Sequence, residues 1–227
     1  MRKQGGFTLI EIAIVLVIIG LLLGGVLKGQ ELITSARVRN LISQQDGVKA
    51  AYFGFLDRFR ALPGDYPLAA TNIAGVSATS ACGAAANLGG GDGDGQIENA
   101  TGEFILAWEH LSKAGFINGT YTCTGAAAVN TGTVPTNPYA QFLQLIYDNV
   151  YAGTATARHN LKTGNQIPSD ILVEVDRKVD DGNANTGAFR ASTYTTGAAT
   201  DAGCFVAASG LWASQTPAAN CGGASLF

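Results

Sequence analysis

The residues best suited to bind a ligand lie in a glycine-rich stretch, residues 91–98, with the sequence GDGDGQIE. Oxygen ligands on alternate residues, separated by glycines that permit a tight turn, are what a hard cation such as Ca²⁺ requires. Asp92, Asp94 and Glu98 would repel one another in a compact loop without a cation, and Glu103 follows within reach. We therefore predict that these four carboxylates form a calcium site, and we expect no organic cofactor.

The match of this stretch to an EF-hand loop is partial. With Gly95 at the position of the invariant glycine, Asp92 and Asp94 become ligands, but the first and last positions lack carboxylates. Starting the loop at Asp92 instead places Glu103 at the bidentate end and loses the glycine of the turn. A solvated acidic turn without a metal is the alternative.

A second acidic group consists of Asp176, Asp180 and Asp181, which precede Gly182 at the end of a predicted helix. Aspartates are mostly exposed in folded proteins. We interpret this group as an exposed helix end and not as a metal site.

Side chains suited to catalysis are scarce. The chain has two histidines, His110 in a predicted amphipathic helix and His159 in a predicted polar loop. Neither has the spacing to a nucleophile that marks a catalytic pair, and no P-loop or dinucleotide-binding fingerprint occurs. We expect both histidines to be structural or exposed, and we expect the protein not to be an enzyme.

The four cysteines are Cys82, Cys123, Cys204 and Cys221. Because no C-x-x-C pair occurs, the spacing indicates neither a zinc site nor a redox motif. An even count in an exported domain favours disulfides, and four cysteines permit three pairings. We favour Cys82–Cys123 with Cys204–Cys221, since sequential pairing closes the shortest loops.

An apolar segment, residues 7–27, begins close to the N-terminus, and its only polar residues are Thr8 and Glu11 near its start. As a helix it would span about 31 Å, which is the thickness of a bilayer core. Arg2 and Lys3 precede it, so the positive-inside rule places the N-terminus in the cytoplasm and the rest of the chain outside. The sequence therefore predicts a single membrane crossing.

Glu11 is a functional candidate within this segment. A carboxylate inside an apolar span costs about 2.5–3.5 kcal/mol unless it finds a partner. If the chain is cut after Gly6, Phe7 gains a free amino group one helical turn from Glu11. In a bundle of identical helices, the amine of a neighbouring chain could then neutralise Glu11, which suggests assembly in lipid.

Residues 5–11, GGFTLIE, followed by the apolar helix, resemble the class III leader of type IV pilins and type II secretion pseudopilins. The resemblance covers roughly residues 1–62. It implies that a prepilin peptidase cuts between Gly6 and Phe7, and that a methyltransferase modifies the Phe7 amine. It also implies that Glu11 supports assembly on an inner-membrane platform with identical or related pilin subunits.

The resemblance bears on two further sites. The Cys204–Cys221 pairing is similar to the C-terminal disulfide loop of many pilins. Calcium occurs in type II secretion major pseudopilins, so the resemblance favours a calcium site in the glycine-rich loop.

The helix is predicted to continue beyond the membrane segment as far as Leu62. An apolar stripe with spacings of three and four residues is typical of an amphipathic helix; its members are Leu41, Gln45, Val48, Tyr52, Phe55, Phe59 and Leu62. Pro63 then supplies a stop, because proline restricts the residue before it and removes a backbone donor.

After Pro63, two shorter helices and three strands are indicated. The first helix is predicted over 101–115, with Thr101 as N-cap and Gly115 at its end, and the second begins near Ser169. Residues 120–123, 140–151 and 188–194 have strand-like composition, although 140–151 is also compatible with a helix. The expected fold is α+β: a long N-terminal helix packed on a small antiparallel sheet with short helices.

Length and charge limit the domain organisation. A chain of 227 residues is long enough for one compact domain plus an extended element. The net charge of −3 argues against a specific nucleic-acid partner, since those proteins need a concentrated basic surface. We predict a cleaved leader at 1–6, an assembly helix at 7–27, its amphipathic continuation at 28–62 and an exported head at 63–227.

Together these features predict a structural subunit of a type IV pilus or a pilus-like filament. The alternatives are a type II secretion pseudopilin and a membrane-anchored, calcium-dependent adhesion or binding module. In each case we expect a single-pass protein of the bacterial inner membrane with a periplasmic or extracellular head. A filament subunit would later become part of an extracellular or periplasmic filament.

Overall fold

The computed structural model describes residues 8–78, 82, 89–123, 128–154, 156–192 and 203–227. Contacts between residues divide the chain into two units, Met1–Arg37 and Val38–Phe227. The second, called here the compact unit, includes the last part of the first helix as well as the predicted head.

Helix α1 (Leu9–Phe59) is 51 residues long and belongs to both units. In the first unit its apolar side chains are exposed, for example Leu9 at 88% and Leu21 at 73%. Among the described residues, α1 is the one helix long and apolar enough to cross a membrane, judged by length and composition. The N-terminal unit thus has an apolar surface that no other described part of this unit covers.

In the compact unit, α1 buries one side. The first five members of the predicted stripe are buried there: Leu41, Gln45, Val48, Tyr52 and Phe55. The helix ends at Phe59, so the predicted end at Leu62 is wrong. The reason is Arg60, whose φ of 54° turns the chain while its N–H still donates to the Leu56 carbonyl at 2.9 Å.

Three shorter helices follow: α2 (Ala69–Asn72), α3 (Glu103–Lys113) and α4 (Ser169–Val179). The predicted helices at 101–115 and near Ser169 are thus present. The predicted N-cap is wrong, because Gly102 occupies that position with a left-handed φ of 80°. Gly115 follows α3 as predicted, with a φ of 82°.

The strands are short and antiparallel. Their bounds are β1 (Gln144–Asp148), β2 (Arg158–Lys162), β3 (Phe189–Ala191), β4 (Phe205–Val206), β5 (Leu211–Trp212) and β6 (Gly223–Leu226). Four of them form a sheet in the order β1-β2-β6-β3, and β4 pairs with β5 separately. The predicted strands at 140–151 and 188–194 contain β1 and β3. Residues 120–123 form no strand, so that prediction is wrong, and residues 193–194 lie outside the described residues.

The α+β prediction is confirmed. One part of the core packs α1 and α3 against β1 and β2, around Phe55, Trp108 and Leu145. Another part packs α4 against β3 and β5, around Leu172, Phe189 and Trp212. Each part carries an acidic group at its edge, and these two groups are the candidate sites.

Candidate functional site

The first acidic group lies where three segments meet: the turn after α1, the glycine-rich loop and the start of α3. Its members are Asp65, Asp92 and Glu103, and one carboxylate oxygen of each lies within 4.8 Å of the others. We call these three residues the glycine-loop group. Glu103 is fully buried and Asp65 is 4% exposed, whereas Asp92 is exposed.

The two buried carboxylates accept four backbone N–H groups from the loop. Asp65 accepts from Gly93 through Oδ1 at 2.6 Å and from Gly95 through Oδ2 at 2.9 Å. Glu103 accepts from Asp92 through Oε1 at 3.0 Å and from Glu98 through Oε2 at 3.1 Å. Every oxygen of the buried pair thus has a donor, so the loop backbone compensates the buried charge.

Glycine permits this close approach of loop and turn. A Cβ on Gly91 would lie 2.3 Å from the Asp65 Cα, so no larger residue fits without a backbone shift. Gly95 has a φ of 86° and open space around its Cβ position, so it is needed for conformation and not for room.

Burial disfavours the ionised forms of the Asp65 and Glu103 carboxyl groups. It raises the pKa of the Glu103 carboxyl to about 7, although the N–H groups of Glu98 and Asp92 favour the ionised form. Burial likewise raises the pKa of Asp65, against the N–H groups of Gly95 and Gly93. The neighbouring acidic groups act in the same direction as burial in both cases.

Two of the four predicted calcium ligands, Asp92 and Glu103, come together. The other two lie outside the glycine-loop group: the Asp94 carboxylate accepts from the backbone N–H and the side-chain Nε2 of Gln96, at 2.8 and 3.0 Å. Glu98 contributes its backbone N–H. Asp65 was missed, because we assigned its segment only to the end of the helix and its contacts with the loop are distant in sequence.

His110 holds the same turn and loop together. It is fully buried; Gly64 N–H donates to its Nδ1 at 2.9 Å, and its Nε2 lies 3.0 Å from the Gly89 carbonyl. A neutral ring that donates from Nε2 satisfies both contacts, and burial lowers the pKa of His110 to about 4. These contacts give His110 a structural role. His159 lies in strand β2 and not in a loop, so that prediction is wrong. Its ring packs on the Tyr147 ring with the centroids 5.0 Å apart, and burial lowers its pKa too.

The second acidic group, which we call the α4 group, consists of Asp176, Asp180 and Asp181. Asp181 is exposed, but Asp176 is fully buried, so the interpretation as an exposed helix end is wrong for Asp176. The residue faces the core because α4 packs this side against β5, where the Trp212 indole Nε1–H donates to Asp176 Oδ2 at 2.7 Å. Burial raises the pKa of Asp176 to about 6.

Both disulfides have the pairing that we favoured, Cys82–Cys123 and Cys204–Cys221, and they close stretches separated by 41 and 17 residues. A buried carboxylate that we missed supports the first: Glu109 accepts from the backbone N–H groups of Cys123 at 2.8 Å and of Ser77 at 3.3 Å. This side chain ties the segments on both sides of the disulfide to α3.

At the start of α1, Glu11 has local partners. Its Oε2 accepts from the backbone N–H and from the hydroxyl of Thr8, both at 2.7 Å, and its own N–H lies 3.3 Å from the Thr8 hydroxyl oxygen. This reciprocal pair is a capping box, which the spacing Thr-x-x-Glu could have indicated. The predicted processing and assembly residues Gly6 and Phe7 lie outside the described residues.

Comparison with known proteins identifies the N-terminal segment. Residues 1–27 match the family model described as the prokaryotic N-terminal methylation motif. The match supports a class III leader and a type IV pilin-like protein, and it implies processing by a prepilin peptidase and assembly with other pilin subunits. Comparisons of the chain with curated proteins and with solved structures give no match.

Proposed function

We propose that this chain is a structural subunit of a type IV pilus or pilus-like filament, assembled through α1 after removal of residues 1–6. The observation that carries the proposal is the match of residues 1–27 to the methylation motif. Proteins that carry this motif are structural, so the proposed role is assembly and not turnover of a substrate.

The exposed apolar surface of α1 supports this role. Such a surface is unstable in water, and it can be buried first in a bilayer and then among the apolar helices of neighbouring subunits. The proposed protein thus crosses the inner membrane once, with its compact unit on the periplasmic side, before it enters a filament.

Glu11 is the proposed assembly residue. In the single chain, Thr8 satisfies one of its oxygens, Oε2. The negative charge still has no cation within the apolar segment, so the Phe7 amine of a neighbouring subunit is the partner that would favour a staggered contact between subunits.

Substitution of Glu11 tests the proposal. Glu11→Gln should abolish filaments recovered from cells, while the membrane-inserted protein and both disulfides persist. Glu31→Gln is the matched control, because Glu31 is exposed on the same helix and pairs with Lys28 at 2.7 Å. Assembly of Glu11→Gln at the parent level would refute the proposed role of the carboxylate.

Thr8→Ala separates assembly from helix capping. It removes the capping contacts and keeps the carboxylate, so filaments should persist. If Thr8→Ala and Glu11→Gln lose filaments equally, Glu11 acts through the helix terminus and not through a neighbour.

Processing has its own test. N-terminal sequencing of membrane or filament material should begin at a methylated Phe7. Intact Met1 in the dominant form would contradict the proposed maturation by peptidase and methyltransferase.

The methylation motif is equally compatible with a type II secretion pseudopilin. Identification of the most abundant subunit in purified surface pili distinguishes the two roles. A pilus subunit should be present there, whereas a pseudopilin should be absent and its deletion should reduce protein secretion.

Calcium binding by the glycine-rich loop stays a prediction, with Asp65 joining Asp92 and Glu103. Two oxygens on opposite sides of one Ca²⁺ are about 4.6–5.2 Å apart, so the oxygens of the glycine-loop group are within reach of a single ion. In the full chain in detergent, Asp92→Ala should reduce the calcium-induced rise in melting temperature, and Asp94→Ala should not. Equal rises in the parent and in Asp92→Ala would exclude this site.

A further inference from the structure

The Asp176 carboxylate is buried with only part of its hydrogen-bonding capacity used. Trp212 Nε1–H donates to Oδ2 at 2.7 Å, and the backbone N–H of Gly182 also favours the ionised carboxylate. Oδ1 is inaccessible to water and has no hydrogen-bond partner among the described residues. A buried carboxylate oxygen without a hydrogen-bond partner is costly, because water cannot replace the missing contact. Oδ1 therefore still has lone pairs to offer to a positive partner.

Two more carboxylates surround the same point. One oxygen each of Asp176, Asp180 and Asp181 lies within 4.8 Å of the others, which brings up to three negative charges together. No ion pair of the described residues involves this group. The nearby Arg177 pairs instead with Glu174 at 3.3 Å. Arg190 Nε donates to the Gly187 carbonyl at 2.9 Å, and the charges of Arg190 and Lys49 act on Asp181 and Asp180 without forming an ion pair.

We propose that Asp176, Asp180 and Asp181 bind a divalent cation of the Ca²⁺ class at the C-terminal end of α4. The group offers only carboxylate oxygens, with no histidine or cysteine, which is the ligand set of a hard cation. The spacing allows one Ca²⁺ to contact all three carboxylates, and water fills the remaining positions of its six to eight ligands.

The site would couple three parts of the compact unit. Asp176 belongs to α4, and Trp212 in β5 fixes its carboxylate. Asp180 accepts backbone N–H groups of Ala188 and Phe189, the latter at 3.2 Å, where the chain enters β3. A bound cation would therefore hold the end of α4 against β3 and β5. This inference uses no part of the N-terminal segment and is independent of the proposed filament role.

Terbium luminescence tests the site, because Tb³⁺ replaces Ca²⁺ and emits when a neighbouring indole is excited. The chain has two tryptophans, Trp108 and Trp212, and Trp212 contacts a proposed ligand. In the full chain in detergent, tryptophan-excited emission should appear on Tb³⁺ addition and fall on addition of excess Ca²⁺. It should be lost in Trp212→Phe and retained in Trp108→Phe.

Calcium affinity measured by titration calorimetry supplies the second readout. Asp181→Asn is the informative variant, because Asp181 is exposed and asparagine preserves the shape of the side chain. We expect about a tenfold or larger loss of affinity at this site, since calcium affinity follows the charge of the ligand set. Glu174→Gln on the exposed side of α4 is the matched control and should bind as the parent does.

Asp92→Ala separates this site from the glycine-rich loop, and it should leave the Trp212-dependent emission unchanged. Three results would overturn the proposal: no emission in the parent, emission that survives Trp212→Phe, or parent-like calcium affinity in Asp181→Asn. Loss of emission in Asp92→Ala would assign the ion to the loop and would also overturn it.

Discussion

The glycine-loop group and the α4 group bury carboxylates in different ways. In the glycine-loop group, four backbone N–H groups point at the two buried side chains, one at each oxygen. In the α4 group, the buried Asp176 accepts the Trp212 indole N–H at Oδ2 and is also favoured in its ionised form by the Gly182 N–H, but its Oδ1 has no hydrogen-bond partner among the described residues. Both groups contain three acidic residues, so the number of acidic residues does not distinguish them.

The two groups differ in how many hydrogen bonds their buried oxygens already have before a cation binds. At the glycine-loop group a cation joins oxygens that are already compensated, so it gains less from them. At the α4 group it supplies the partner that Oδ1 lacks. We therefore expect the α4 group to bind Ca²⁺ more tightly than the glycine-loop group, and the same contacts make Glu103 more important for folding than Asp176.

The largest expected effect is that of Glu103→Ala. The substitution leaves the N–H groups of Asp92 and Glu98 without their acceptor and opens a cavity beside the loop. The free energy of unfolding should fall by about 3 kcal/mol, because each unsatisfied buried donor costs about 1–3 kcal/mol. Chemical denaturation of the full chain in detergent measures this loss.

Asp94→Ala is the control for that experiment. Asp94 is exposed, and its hydrogen bonds to described residues stay within its own loop, so its removal should cost less than about 1 kcal/mol. Equal losses in the two variants would mean that the two N–H contacts of Glu103 do not hold the loop.

The next effect is a pH dependence that differs between the parent and Glu103→Gln. Burial raises the pKa of Glu103 from 4.5 to about 7, so the folded state binds its proton more tightly than the unfolded state does. The contribution of Glu103 to stability is therefore complete below pH 4.5 and is lost as the pH rises through about 7. Glutamine does not titrate, so the variant lacks this loss. As the pH rises from 4.5 through about 7, the unfolding free energy of the parent should fall relative to that of Glu103→Gln.

His110 acts in the opposite direction in both proteins. Its pKa is lowered from 6.5 to about 4, so its contribution is present above pH 6.5 and is lost as the pH falls through about 4. The comparison with Glu103→Gln cancels this effect. A difference between parent and variant that is constant with pH would show that Glu103 has no raised pKa.

The sequence predicts those elements whose pattern is local. The stripe on α1, the C-terminal end of α3 and the start of α4 each carry their own signal in spacing or composition. The segment that contains β1 has strand-like composition, although its pattern is also compatible with a helix. Four cysteines permit three pairings, and the favoured pairing, which closes the shortest loops, is the one in the structure.

Strands β2 and β6 carry no such signal. Strand β2 has a polar sequence, and its Lys162 is buried because Asp148 on β1 neutralises it at 2.5 Å. Strand β6 has the sequence Gly-Ala-Ser-Leu, and it is a strand because β2 and β3 pair with it on both sides. In both cases, partners distant in sequence supply what local propensity lacks.

The same limit applies to the candidate sites. The glycine-rich loop is recognisable, but Asp65 reaches it only after the chain turns back from α1. The burial of Asp176 likewise depends on Trp212, which lies far along the chain in β5. A sequence pattern therefore finds acidic residues, whereas the contacts of each oxygen decide which of them lacks a partner.

The smallest expected effect concerns Asp176→Asn, and it most directly separates the two groups. The difference in unfolding free energy between this variant and the parent should change sign when calcium is added. Asparagine keeps an oxygen for the Trp212 indole and removes the charge that Asp180 and Asp181 repel. In chelator at about pH 8, above the pKa of about 6 of Asp176, the variant should unfold with about 1 kcal/mol more free energy than the parent. In excess calcium the order should reverse, because only the parent gains the binding energy of a site with three charges.

Glu174→Gln is the control for this experiment and should show no reversal, since Glu174 lies outside the group. If Asp176→Asn is equally destabilised with calcium and with chelator, Asp176 is a structural acceptor like Glu103, and the distinction between the two groups fails.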